Sequence, residues 1–150
     1  MIEWQGSGEQ RLRSWRQFRL TLVDLNPDAA IKAISHEWSY CPFVGKYLAP
    51  HDITQWPDPW TLLSEGKFCS LARALGMLYT VALCEQLKEC DLNLNIYTNM
   101  AGERYDLVMV NGGDVLNYVH DSVVKVDSIE SGLDLQYRYS RADLHTDAFR

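Results

Sequence analysis

The sequence predicts an α+β fold, with N-terminal helices and one central helix packed on an antiparallel sheet of four or five strands. Three observations predict it. Up to about residue 90 the apolar residues recur at steps of three and four, the helical period. After Asp91 the period drops to two, the mark of half-buried strands. The helical and extended segments are segregated rather than alternating, which points to α+β and excludes a doubly wound parallel sheet. A chain of 150 residues is the size of one domain, 1–150.

Residues 1–8 are polar, carry Gly6 and Gly8, and read as a loose arm. The stretch from 9 to 90 is mainly helical. Leu12, Trp15, Phe18, Leu22 and Leu25 form one apolar stripe. Asn26-Pro27 then closes this helix and opens the next, since Asn caps well and Pro suits the first helical position. Ala30, Ile31, Ile34 and Trp38 give the second helix its inner face. Residues 41–59 hold Pro42, Pro50, Pro57 and Pro59, which forbid a regular element. Asp58 is placed to cap a short helix through Leu62 and Leu63. After Gly66-Lys67, the positions Phe68, Leu71, Leu75, Leu78, Ala82 and Leu87 predict a central helix of about twenty residues. It is apolar around most of its girth, and Gly76 on it predicts close approach by another element.

The stretch 91–139 reads as an antiparallel meander. Leu92 to Tyr97, Tyr105 to Val110, Val115 to Val119, Val123 to Val126 and Leu133 to Tyr139 are its strands, with Asn111-Gly112-Gly113-Asp114 as a hairpin turn. Residues 140–150 are polar and read as a loose tail.

Composition limits function. The net charge of −6 disfavours nucleic acid as a partner. No apolar run reaches the roughly 18 residues of a membrane span, and no signal peptide opens the chain, so a soluble intracellular protein is expected. Cys41, Cys69, Cys84 and Cys90 show no CxxC spacing and are expected to be reduced thiols. His36, His51, His120 and His145 are scattered without paired ligand spacing, so neither a metal nor another cofactor is expected.

Two candidate sites stand out. Cys69, in Gly66-Lys67-Phe68-Cys69-Ser70, sits at the start of the central helix, where the dipole and free N–H groups favour a thiolate. A nucleophile there needs a base and an orienting acid from the strands, and His120 and Asp121 are the candidates. The alternative is a small buried core thiol. The second candidate is a protein interface. Arg11, Arg13, Arg16 and Arg19 crowd one helix of an acidic chain, and Trp56 and Trp60 are stiffened by prolines. Arg and Trp are common interface anchors. The alternatives are a solvated helix face and a pair of tryptophans folded back over the central helix.

Cys69 leading a helix, followed by the strands Leu92 to Thr98, Tyr105 to Val110 and Val115 to Val119, resembles the core of transglutaminase-like domains over roughly residues 60–120. The resemblance implies a cysteine at the helix start, a histidine beginning a strand and an aspartate ending the next. Cys69 fills the first role. Tyr105-Asp106 stands where the histidine belongs, and Asn117 or Tyr118 near the acid, so the resemblance implies a degenerate, inactive member. The chain also resembles small proteins of tailed bacteriophages in Ser14 to Arg19, Trp56 to Trp60 and Phe68 to Met77. That resemblance implies a non-enzymatic structural or assembly role, such as a neck or tail adaptor, with other virion subunits as partners. It places the protein in the virion, and in the host cytoplasm during assembly. The alternative is a cysteine-dependent hydrolase or acyl transferase using Cys69.

Overall fold

The computed structural model describes residues 1–43 and 48–144. Four helices come first: α1 (Gly8–Thr21), α2 (Pro27–Trp38), α3 (Pro59–Glu65) and α4 (Ser70–Leu83). Five strands follow: β1 (Leu92–Thr98), β2 (Arg104–Val110), β3 (Asp114–Leu116), β4 (Val124–Lys125) and β5 (Asp134–Ser140). They form one antiparallel sheet in the order β4-β3-β2-β1-β5. The expected α+β class is therefore the observed one. No described helix is long and apolar enough to cross a membrane.

The helix starts follow their capping residues. Ser7 and Gln10 make a reciprocal capping box on α1. Asn26 accepts from the Ala29 amide ahead of Pro27, and Asp58 from the Thr61 amide ahead of Pro59. The ends depart from the sequence period. α1 stops at Thr21, which leaves Leu25 partly exposed. α4 has 14 residues, because Cys84 turns to extended backbone and the chain continues as a 3₁₀ turn, Glu85–Leu87. Gly66 closes α3 with φ +66, a left-handed conformation that glycine adopts without strain.

The sheet is a meander only through β4. β5 crosses to the opposite edge and pairs with β1, with an irregularity between Ile96 and Tyr97. β3 stops at Leu116 because Asn117 takes φ +70. Leu92, Leu94, Ile96, Val108, Val110 and Leu116 face the helices and join the main core. Leu107, Met109 and Val115 form a smaller cluster on the other face.

Both chain ends correct the expectation of loose segments. Ile2 and Trp4 are buried, the Ile2 amide donates to Glu37 Oε1 at 3.0 Å, and Trp4 meets Trp38 and Phe68 edge-on. At the other end Ser140 and Asp143 cap a short turn, Arg141 donates to the carbonyls of Lys88, Cys90 and Ala82, and Leu144 is buried. The rest of the expected tail, 145–150, lies outside the described residues.

α4 is covered on several sides, as its girth predicts. Trp38 of α2 lies against Gly76, where an added Cβ would stand 2.2 Å from the ring atom Cη2 and 2.4 Å from Cζ3. Trp38 is fully buried, so the ring has nowhere to go. Gly76→Ala should therefore destabilise the protein by about 1–2 kcal/mol in urea unfolding, overpacking outweighing the gain in helix propensity. A stabilised variant would show that the α2–α4 contact yields freely.

Candidate functional site

Extended backbone at Cys69 (φ −103, ψ −178) makes it the N-cap of α4, and no side chain caps that end. The first-turn N–H groups thus have no side-chain acceptor from their own helix. Phe68, immediately before, is fully buried between Trp4 and Trp38 and bridges to Phe43 as a parallel pair. These contacts anchor the approach to Cys69, which is itself buried.

Asn117 fastens this helix end to the sheet. Its Nδ2 donates to the Ser70 carbonyl (3.2 Å), Ser70 Oγ (3.5 Å) and the Asp106 carbonyl (2.9 Å). Its Oδ1 accepts from Arg73 Nε at 2.7 Å. One amide thus ties together the residue after Cys69, the next turn of α4, and β2. The left-handed backbone of Asn117, tolerated by Asn more readily than by most residues, turns the chain away from β3 at this point.

Asp106 lies opposite Ile96 in the β1–β2 register, and Ile96 faces the helices. Residues directly opposite in an antiparallel pair share a face, so the Asp106 carboxylate points to the helix side. It is 2% exposed. Arg104 Nη2 donates to Oδ2 at 3.1 Å. Oδ1 lies 3.0 Å from Arg104 Nε, but without the alignment of a hydrogen bond, and has no other partner.

Two further residues belong to this corner. Arg73 follows Cys69 by one helical turn, and its guanidinium lies 4.7 Å over the Phe43 ring. Cys41 is buried in the same surroundings. Burial pushes its thiol up to about 12, against the opposing effect of Arg73, with neighbouring Cys69 adding to the rise. Burial likewise pushes Cys84 up to about 11. Both values lie above the ordinary 9.0, so the native state holds these protons after the unfolded chain has lost them. Stability should therefore fall as pH rises from about 9 towards 11. Cys41→Ala should flatten the decline in melting temperature over that range; an unchanged slope would show that Cys41 does not titrate there.

The structure distributes the expected site residues unevenly. His120 and Asp121 are both exposed, and Asp121 Oδ1 meets His36 Nδ1 at 2.8 Å. Among the described residues no hydrogen bond joins either of them to Cys69; the residues clamped at the helix end are Asp106 and Asn117. The interface set also divides. Arg11 is spent internally, donating to the carbonyls of Leu63 (2.8 Å), Ser64 (2.6 Å) and Gly6, where it caps the end of α3. Trp56 is buried, bonded to the Ala49 carbonyl and edge-on to Tyr139. Arg19 lies 4.3 Å over Trp15. Arg13 and Arg16 are exposed, Arg13 pairing with Glu9 at 2.8 Å, and Trp60 is half exposed against Trp15. Arg73 was not singled out in the sequence. The position of Arg73 four residues after Cys69, on the same helical face, was the signal for it.

A helix led by cysteine is packed on an antiparallel sheet whose second and third strands bring polar residues to the helix start, an arrangement similar to the transglutaminase-like core. Solved structures of LapG from Legionella pneumophila share it. The calcium-bound form matches with a TM-score of 0.70 at 11% identity, covering 91% of this chain and 77% of that one. A second LapG structure matches at 0.69 and 12% identity (96% and 86%), and the EGTA-treated form at 0.69 and 11% (96% and 88%). No family model matches the sequence, and no curated protein does either. Among the described residues no group of three or more His, Cys, Asp or Glu is gathered as a metal site.

These matches overturn three linked expectations. LapG is a cysteine protease, which fits the thiol-enzyme alternative better than a non-enzymatic assembly protein, and nothing in the matches supports a phage origin or a neck, tail or other virion role. The physical reason is that short local likenesses carry little information about a site, whereas the helix–sheet arrangement extends over nine-tenths of the chain.

Proposed function

We propose that the chain is a cysteine-dependent hydrolase or acyl transferase of transglutaminase-like type, with Cys69 as nucleophile. The observation that carries this is the clamp at the head of α4, where Asn117 holds the residue after Cys69 against the strand bearing Asp106. The thiol sulfur attacks a substrate carbonyl, forming an S–C bond as the C=O electrons move to oxygen. First-turn N–H groups of α4 are placed to receive that oxyanion. The thiol proton passes to the carboxylate of Asp106, which is buried on the helix-facing side of β2 and has an oxygen free of hydrogen bonds. Collapse expels an amine that carries the proton away and leaves a thioester on Cys69. Water then releases an acid, or a second amine takes the acyl group.

Asn117 acts as a positioning residue, through backbone and side-chain bonds rather than contact with the reacting atoms. A mixed peptide library incubated with the protein, with and without glycine ethyl ester, should yield cut peptides in water and ester-tagged peptides with the amine. Mass spectrometry reads both products. A library unchanged in both arms from pH 6 to 9 would sink the proposal.

A further inference from the structure

The corner that holds Cys69 also holds a cation that no carboxylate of the described residues pairs with. Arg73 is fixed from two sides: its Nε donates to Asn117 at 2.7 Å, and its guanidinium lies 4.7 Å over Phe43, an exposed ring. Helical side chains lean towards the N-terminus of their helix, so an arginine one turn after Cys69 is carried back over the turn that Cys69 begins. The bond to Asn117, which itself holds Ser70, agrees with that direction. No carboxylate of the described residues pairs with Arg73. Asp106 is engaged by Arg104 and Asp121 by His36. In a chain of net charge −6 carboxylates are abundant, yet among the described residues this guanidinium has none beside it.

We propose that Arg73 is a specificity residue that binds a carboxylate on the acyl part of the substrate, close to the carbonyl Cys69 attacks, so that the substrates are acidic peptides or carboxylate-bearing acyl groups. This rests on Cys69 being the nucleophile. A planar guanidinium held at Nε still offers its Nη groups in the fork that matches a carboxylate, and the Phe43 face beneath holds the fork in one plane. Preorganisation of that kind costs little ordering on binding.

Two small alkylating agents test it without knowledge of the substrate. Iodoacetate and iodoacetamide react alike with a thiol: an S–C bond forms, the C–I bond breaks, iodide leaves, and the thiol proton goes to a base. They differ in the carboxylate one carbon from the reacting centre. Alkylation of Cys69 is followed by peptide mass spectrometry, and the rate ratio of iodoacetate to iodoacetamide is normalised to that of glutathione. The native protein should favour iodoacetate by roughly tenfold over that baseline, a modest charge-pairing effect. Arg73→Gln should bring the ratio to the baseline while iodoacetamide still reacts, and Arg73→Lys should keep part of the preference. A ratio indifferent to Arg73→Gln in a variant that melts normally would overturn the inference and leave Cys69 as nucleophile. If Arg73→Gln does not fold, Arg73→Lys decides, since a native preference that it leaves undiminished would overturn the inference equally. Silence of Cys69 towards both reagents would remove the nucleophile and the inference with it.

Discussion

Cys69→Ser should lower turnover at least about a thousandfold while leaving the melting temperature close to that of the parent protein. A serine hydroxyl is the right size for the N-cap of α4 and can even cap it, so the fold has no reason to suffer. As a nucleophile it is far weaker than a thiol without a base matched to it, and loss of the nucleophile commonly removes most of the rate. Asp106→Asn separates the proton acceptor from the nucleophile. The amide keeps the shape of the side chain but takes up no proton, and a general base is typically worth about 10²–10⁴ in rate. Asp106→His supplies the residue type that the transglutaminase-like resemblance implies near the start of this strand and should retain or raise activity relative to Asp106→Asn. Peptide turnover in the three variants settles the assignment. Full activity in Cys69→Ser would dismiss the thiol, and full activity in Asp106→Asn would send the proton elsewhere.

The largest expected effect on stability lies at the middle of α4. The Thr80 hydroxyl accepts from Trp15 Nε1 at 3.0 Å and from Trp38 Nε1 at 2.9 Å, and donates to the Gly76 carbonyl at 2.7 Å. Both lone pairs and the hydrogen are used, in a residue with no exposed surface. One oxygen therefore satisfies the indoles of two helices, α1 and α2, against α4. Thr80→Val preserves volume and strands two buried N–H groups, each costing about 1–3 kcal/mol. A loss of about 3–5 kcal/mol is expected, or roughly 10 °C in melting temperature for a chain of this length. Thr80→Ser keeps the hydroxyl and should cost only about 1 kcal/mol for the missing methyl. A Val variant as stable as the Ser variant would mean that the indoles find other acceptors.

The elements that were legible are those whose signals are local. The caps at Asn26 and Asp58, the turn at Asn111-Gly112, and the alternation of Leu92, Leu94 and Ile96 each depend on residues a few positions apart, and each is found where its residues predict. Cys69 at a helix start is of the same kind. The ends of elements were less legible. Apolar spacing continues through Leu87, but the helix stops at Leu83, because the chain must turn to enter β1 and a 3₁₀ turn buries Leu87 just as well. Polar sequence at the two chain ends read as freedom, since nothing local says that Ile2 and Leu144 will find a core built by residues far away.

The amino-acid sequence by itself determined the α+β class and the cysteine at the head of the central helix, because period, capping and order are properties of neighbouring residues. Tertiary structure alone decided what those residues do together. Asn117 reaches Ser70 across 47 positions, and Asp106 becomes a buried carboxylate only because β2 is covered by helices encoded before it. Arg11 and Trp56 became internal fastenings rather than surface anchors for the same reason: their partners, Leu63 and Ser64 for one and Ala49 and Tyr139 for the other, are set by the packing of whole elements. Hydrogen bonds and burial are satisfied in three dimensions, so the chemistry of Cys69 depends on contacts that no stretch of sequence contains.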